Sequence, residues 1–222
     1  MKKILLIYFL SFHAISELTL EITQGTEDPY RVAIIKFSGA DKATTDIQKV
    51  VFDNLLRTGE FTIFNNEDLL SIPQIEEDIV FNDFRILDID YLVMGKVEDD
   101  GLNIAVEYQV FDISKAKKIR TSTVYGIPNK NRQLAHYVSD GIYQEITGIP
   151  GIASTKILYV TEDNNFKLLI SDADGSNEQV LLESTEPIIS PSWSPDSKKV
   201  AYVSFETGIA KVYIQDLSLI HI

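Results

Sequence analysis

Cysteine is absent from the chain, so neither a disulfide framework nor a thiolate metal centre is available, and a lipoprotein signal is excluded for want of the residue that carries the lipid. In an oxidising compartment this absence costs nothing if the core is large. Basic residues are scarce: 20 Lys and Arg face 33 Asp and Glu, a formal net charge of −13. Such a polyanion has no electrostatic footprint for nucleic acid or for an anionic membrane surface. Histidine occurs only as His13, His136 and His221, with no pair at zinc-ligand spacing. A Gly-x-Ser-x-Gly nucleophile elbow and a phosphate-cradling glycine loop are missing too. These absences point to a protein with no catalytic residues, no cofactor and no metal site.

What is present begins with a leader. Lys2 and Lys3 give a charged start, "ILLIYFLSF" at 4–12 gives an apolar stretch, and Ala14 and Ser16 suit the small-residue cleavage positions. The stretch is shorter than the roughly 20 residues of a membrane-spanning helix, so it reads as a cleavable signal and not as a span. Removing residues 1–16 makes the chain more acidic still. Directly after it stand Glu17, Leu18, Thr19, Leu20, Glu21, Ile22, Thr23, Gln24 and Gly25. Leu18, Leu20 and Ile22 alternate with Thr19, Glu21 and Thr23, which builds a strand with one apolar face. "TEDPY" cuts this segment off from the first core strand. It either pairs with its own domain or adds to the sheet edge of a partner.

Residues 30–147 read as an α/β domain with interleaved strands and helices. "YRVAIIKF" at 30–37 is a buried strand, and 44–59 is a helix with Ile47, Val50, Val51 and Leu55 on one face. "FTIF" is a second strand. Residues 90–112 form a hairpin about Asp100-Gly101, with Leu102, Ile104, Val106, Tyr108 and Val110 alternating onto one face. A strand near 118–125 precedes a last helix that carries Leu134, Tyr137, Val138, Ile142 and Ile146 at helical spacing. The carboxylates of "EEDI" at 76–79 and of Asp88 and Asp90 read as structural, and His136 as an ordinary helix-surface residue.

Beyond this domain the sequence repeats itself. "KILYVT" at 156–161 matches "KVAYVS" at 199–204 at a shift of 43 residues, and "KLLISD" at 167–172 matches "KVYIQD" at 211–216 at a shift of 44. Short strands at this period are the blade spacing of a β-propeller. In "WSPDSKKVAYV", Pro195 fixes φ for a turn, Asp196 accepts backbone hydrogen bonds within it, and Ser194 and Ser197 complete it, Ser197 without positive φ. Trp193, the single tryptophan, packs between blades. "SDADGSNE" at 171–178 lacks the third oxygen ligand and the later glutamate of a calcium loop and reads as an Asp-Gly hairpin turn.

The run "LLISDADGSNEQVLLESTEPIISPSWSPDSKKVAYVSFETG", with "EITGIPG" before it and "ELTLEITQG" near the start, resembles the TolB family of periplasmic propeller proteins in the Tol-Pal envelope system. The likeness runs from about residue 17 to 217. It implies that residues 17–25 are the family's N-terminal box, which binds the C-terminal domain of TolA and alternates between a self-docked and a released state. Pal binding at the propeller is coupled to that exchange. The implied role is a non-enzymatic scaffold for outer-membrane integrity and envelope constriction at division. The expected organisation is a signal peptide at 1–16, a partner-binding segment at 17–29, the α/β domain at 30–147, a linker at 148–155, incomplete propeller blades at 156–217 and a non-family tail at 218–222. About one and a half blades would leave sheet faces exposed, so the chain is expected to be the N-terminal half of a longer protein. An exported peptidase of the prolyl-oligopeptidase type, whose blades carry similar Ser-Pro-Asp turns, is the alternative.

The leader generates a direct expectation. N-terminal sequencing of protein released from the periplasm begins at Glu17; an intact Met1 recovered in a membrane fraction would contradict it.

Overall fold

The computed structural model describes residues 28–39 and 41–219. The leader at 1–16 and the alternating segment from Glu17 to Gly25 lie outside the described residues. The chain then runs through β1 (Tyr30–Ile34), β2 (Ser38–Gly39), α1 (Asp41–Arg57), β3 (Phe61–Phe64), α2 (Phe81–Ile86), β4 (Tyr91–Asp99), β5 (Ile104–Asp112), β6 (Lys117–Gly126) and α3 (Asn131–Thr147). Six strands follow: β7 (Lys156–Glu162), β8 (Phe166–Asp172), β9 (Gln179–Ser184), β10 (Ile188–Trp193), β11 (Lys199–Ser204) and β12 (Lys211–Asp216).

The first six strands make one mixed sheet in the order β3-β1-β4-β5-β6, with β2 paired to β4. β1 is parallel to β3 and β4, whereas β4-β5-β6 is an antiparallel meander. Parallel strands covered on both faces read as continuous apolar runs, and Val32, Ala33, Ile34 and Ile35 are all buried. Val32 and Ile34 face one cluster with Ile47, Val51 and Leu55 of α1 and Leu134, Val138 and Ile142 of α3. Ala33 and Ile35 face the other, with Leu92, Phe84, Ile89, Phe111 and Ile113. Each fully buried side chain of this size contributes roughly 1.5–3 kcal/mol.

Two expectations need correction here. Leu102 lies in the turn between β4 and β5, 78% exposed, because the Asp100 carboxylate accepts the Leu102 and Asn103 N–H groups and turns the chain before the strand begins. Tyr137 is exposed as well; the sheet-facing stripe of α3 is Leu134, Val138, Ile142 and Ile146, each four residues after the last.

The remaining strands form two antiparallel sheets, β7-β8-β9 and β10-β11-β12, the start of a propeller. They share a core of Leu168, Ile188, Val200, Tyr202 and Leu217, against which the half-buried Trp193 packs. Ser190 has φ 54 and the β10–β11 register shifts between Ile189 and Ser192, so Pro191 sits at a bulge on an edge strand, where its missing N–H does no harm. The turn after Trp193 departs from expectation: Ser197 has φ 57. The Ser197 N–H donates to the Ser194 carbonyl, and Asp196 Oδ1 accepts from Ser194 Oγ and the Lys198 N–H. These bonds offset the roughly 1–2 kcal/mol of a left-handed non-glycine residue. The β8–β9 connection also differs from a two-residue Asp-Gly hairpin, because it occupies residues 173–178 and has left-handed φ at Gly175 and Asn177.

Where α3 crosses the sheet, Gly141 lets the helix approach Tyr108: a Cβ there would stand 1.9 Å from the phenol oxygen. Gly141→Ala is therefore expected to destabilise the α/β domain by about 1–3 kcal/mol in thermal unfolding. Adding Tyr108→Phe removes the clashing atom and should recover much of that loss. A double variant no more stable than the single one would show that the clash is not the cause.

Candidate functional site at the domain seam

Helix α3 has a second stripe, Arg132, His136 and Asp140, again at four-residue spacing. It meets the first blade and the chain leading into it. Asp140 Oδ1 accepts the Ala153 N–H at 2.6 Å and Oδ2 accepts the Ser154 N–H at 3.0 Å. Both carboxylate oxygens thus hold the strand's approach against the helix. Gly148, with φ 76 and its N–H on the Gln144 carbonyl, ends α3 and starts this return.

His136 is 2% exposed, which corrects its reading as a surface residue: one edge of the ring faces α1 and the other faces the β8–β9 turn. Asn54 Nδ2 lies 2.9 Å from His136 Nδ1 and 2.9 Å from Ser139 Oγ. Ser139 gives its own proton to the Ala135 carbonyl and Arg57 donates to Asn54 Oδ1, so the Asn54 amide has one orientation and its NH₂ faces the imidazole. Nδ1 therefore accepts, and neutral His136 carries its proton on Nε2. That nitrogen points between Asp174 Oδ2 at 3.6 Å and Asp172 Oδ2 at 3.8 Å, beyond hydrogen-bond reach. Burial pushes the imidazole below its ordinary value against the pull of Asp174 and Asp172, and the nearby Arg132 adds to the lowering.

The two carboxylates are already neutralised. Asp172 accepts from Lys156 Nζ at 2.8 Å and from Asn177 Nδ2 at 2.5 Å. Asp174 accepts from the Ser176 N–H and the Arg132 guanidinium. Burial pushes the Asp174 carboxyl up, but the Ser176 N–H and the Arg132 guanidinium outweigh it and hold the group below its ordinary value. His136, Asp172 and Asp174 do bring three ligand-type atoms within 4.8 Å of one another. The donor set nevertheless suits a metal poorly, because Nε2 bears a proton fixed by Asn54 and two cations already sit on the acids. The arrangement is suited to clamping two domains together.

Of the residues singled out from sequence, Trp193 ends β10 and Ser194, Pro195 and Asp196 follow it in the turn, and none of them is a partner in the bonds of this seam. Glu76 pairs with Lys118, and Asp90 accepts the Arg31 N–H. The seam itself escaped the sequence reading; its signal was a polar stripe, Arg132-His136-Asp140, on a helix whose other stripe is apolar.

Two family models match the chain, that of the TolB amino-terminal domain over residues 18–119 and that of the TolB beta propeller domain over residues 143–221. The chain belongs to the TolB family. The Tol-Pal system protein TolB of Alcanivorax borkumensis is 40% identical over 210 residues, 91% of this chain and 48% of that protein. The same-named protein of Alkalilimnicola ehrlichii is 37% identical over 206 residues, 89% of this chain and 48% of its own length. The crystal structure of TolB from Acinetobacter baumannii superposes with a TM-score of 0.80 at 34% identity, over 90% of this chain and 50% of that one. The chain spans about half the length of the curated TolB relatives it matches. A prolyl-oligopeptidase type of chain gains no support from these matches.

If Asp140 holds the seam, Asp140→Ala frees two amides that had charge-assisted bonds, each worth roughly 1.5–3 kcal/mol. Protease cleavage between residues 148 and 155 should then speed up about tenfold or more, with the melting of the α/β domain little changed. An unaltered cleavage rate would mean the approach strand is held by something else.

Proposed function

We propose that the protein is a non-enzymatic binding component of the Tol-Pal system, exported to the periplasm, that links the TolA C-terminal domain to Pal. In this reading it sustains outer-membrane integrity and envelope constriction at division. The observation that carries the proposal is the match, in the same order, of both TolB domains along one chain, together with the 34% identity and TM-score of 0.80 to a solved TolB. Non-catalytic duty agrees with the chemistry of the seam, where the buried histidine and three acids are committed to structural bonds. The signal-like leader supports export, and among the described residues no helix is long and apolar enough to cross a membrane.

TolA is taken by the segment Glu17 to Gly25, added as a strand whose main chain supplies affinity and whose Leu18, Leu20 and Ile22 supply fit. Pal is taken by the propeller, of which β7–β12 are the first strands. Replacing Ile22 with Pro removes a backbone donor and restricts Glu21. Calorimetry with the TolA C-terminal domain should show binding by the chain from Glu17 onward and a loss of roughly 2 kcal/mol or more for Ile22→Pro. Thermal unfolding of the α/β domain should change little. Unchanged affinity would remove the TolA role from this segment.

A further inference from the structure

We propose that the seam between α3 and the first blade is an acid-sensitive latch: it closes on neutral His136, and a proton on that ring releases the blade from the helix.

Docking leaves the ring 2% exposed between α1 and the β8–β9 turn, so a charge placed on it is desolvated while the blade is in place. A second proton would have to go on Nδ1, where the Asn54 NH₂ already donates, and Asn54 cannot turn because Arg57 and Ser139 fix its amide. Protonation therefore sets two donors face to face; both belong to the α/β domain, so this cost is the same with the blade docked or away, and the difference between the two states comes from burial of the ring. The two carboxylates across the seam would favour the extra charge, but Lys156 and Arg132 already neutralise them. The groups about the ring are Asn54 from α1, whose carbonyl is held by Arg57; Arg132 and Asp140 from α3; Lys156 from β7; Asp172 from β8; and Asp174 from the turn. Lys130 and Glu178 line the same cleft, which has a volume of about 500 Å³ and gives protons a route in.

The direction follows by linkage. With the blade docked, burial holds His136 below its ordinary 6.5; with the blade away, the ring regains water and returns towards it. The undocked state binds the proton better, so docking is complete above about 6.5 and weakens as pH falls below it, by up to about tenfold per pH unit.

The test uses the leaderless chain and one protease cutting between residues 148 and 155, with His136→Gln as the reference that keeps an N–H donor but cannot titrate. The ratio of wild-type to variant cleavage rate cancels the protease's own pH profile. It should rise several-fold or more between pH 7.5 and 5.5, and a flat or falling ratio overturns the latch. Nitrogen-detected histidine NMR serves independently if the variant fails to fold. His136 should be the Nε2–H tautomer and titrate below 6.5, and Asn54→Asp, which sets a carboxylate against Nδ1, should move the titration upward. A wild-type ring titrating at or above 6.5 overturns the proposal.

Discussion

Helix α3 has to bury two sides at once. Its stripe of Leu134, Val138, Ile142 and Ile146 completes the core over the mixed sheet, while Arg132, His136 and Asp140 close on the propeller. A helix that met only the sheet would carry an exposed polar back, the common arrangement. Here the back is used, and the first blade takes its place from it. The Asp140 carboxylate sets where the chain returns after Gly148, and the turn after β8 then lands on Arg132 and His136.

A polar seam fits what joins domains in general, because interfaces within a chain are more polar than cores. Buried charges need partners, and the partners here come in pairs: Lys156 with Asp172, Arg132 with Asp174. Such a seam specifies orientation better than an apolar patch, since each hydrogen bond fails if the domains rotate by a few ångströms. The seam thereby fixes the angle between the α/β domain and the first blade.

Much of this architecture was legible in the sequence. The unbroken apolar run "VAII" signals a strand covered on both faces, the α1 and α3 stripes signal helices over a sheet, and the 43-residue repeat signals blades. Other features were set by chemistry that periodicity does not register. Leu102 continues the alternation that predicts a strand, but the Asp100 carboxylate captures the backbone there first. Ser197 adopts a left-handed φ that the glycine-free turn did not advertise, because side-chain bonds from Ser194 and Asp196 hold it. His136 looked like a surface histidine because its own helix offers no reason to bury it. Its reasons lie 82 residues back at Asn54 and across the seam at Asp172 and Asp174. Contacts between distant segments are where reading along the chain stops.

The direct measurement is of domain orientation. Residual dipolar couplings of backbone amides in the leaderless chain, collected near pH 7.5, report the alignment of residues 30–147 and of residues 156–217 separately. A seam that locks the first blade to α3 predicts a single alignment tensor that fits both sets together with the structure. Two tensors of different magnitude or axis would show domains that turn independently, and the clamp formed by Arg132, His136 and Asp140 would not be what sets the architecture.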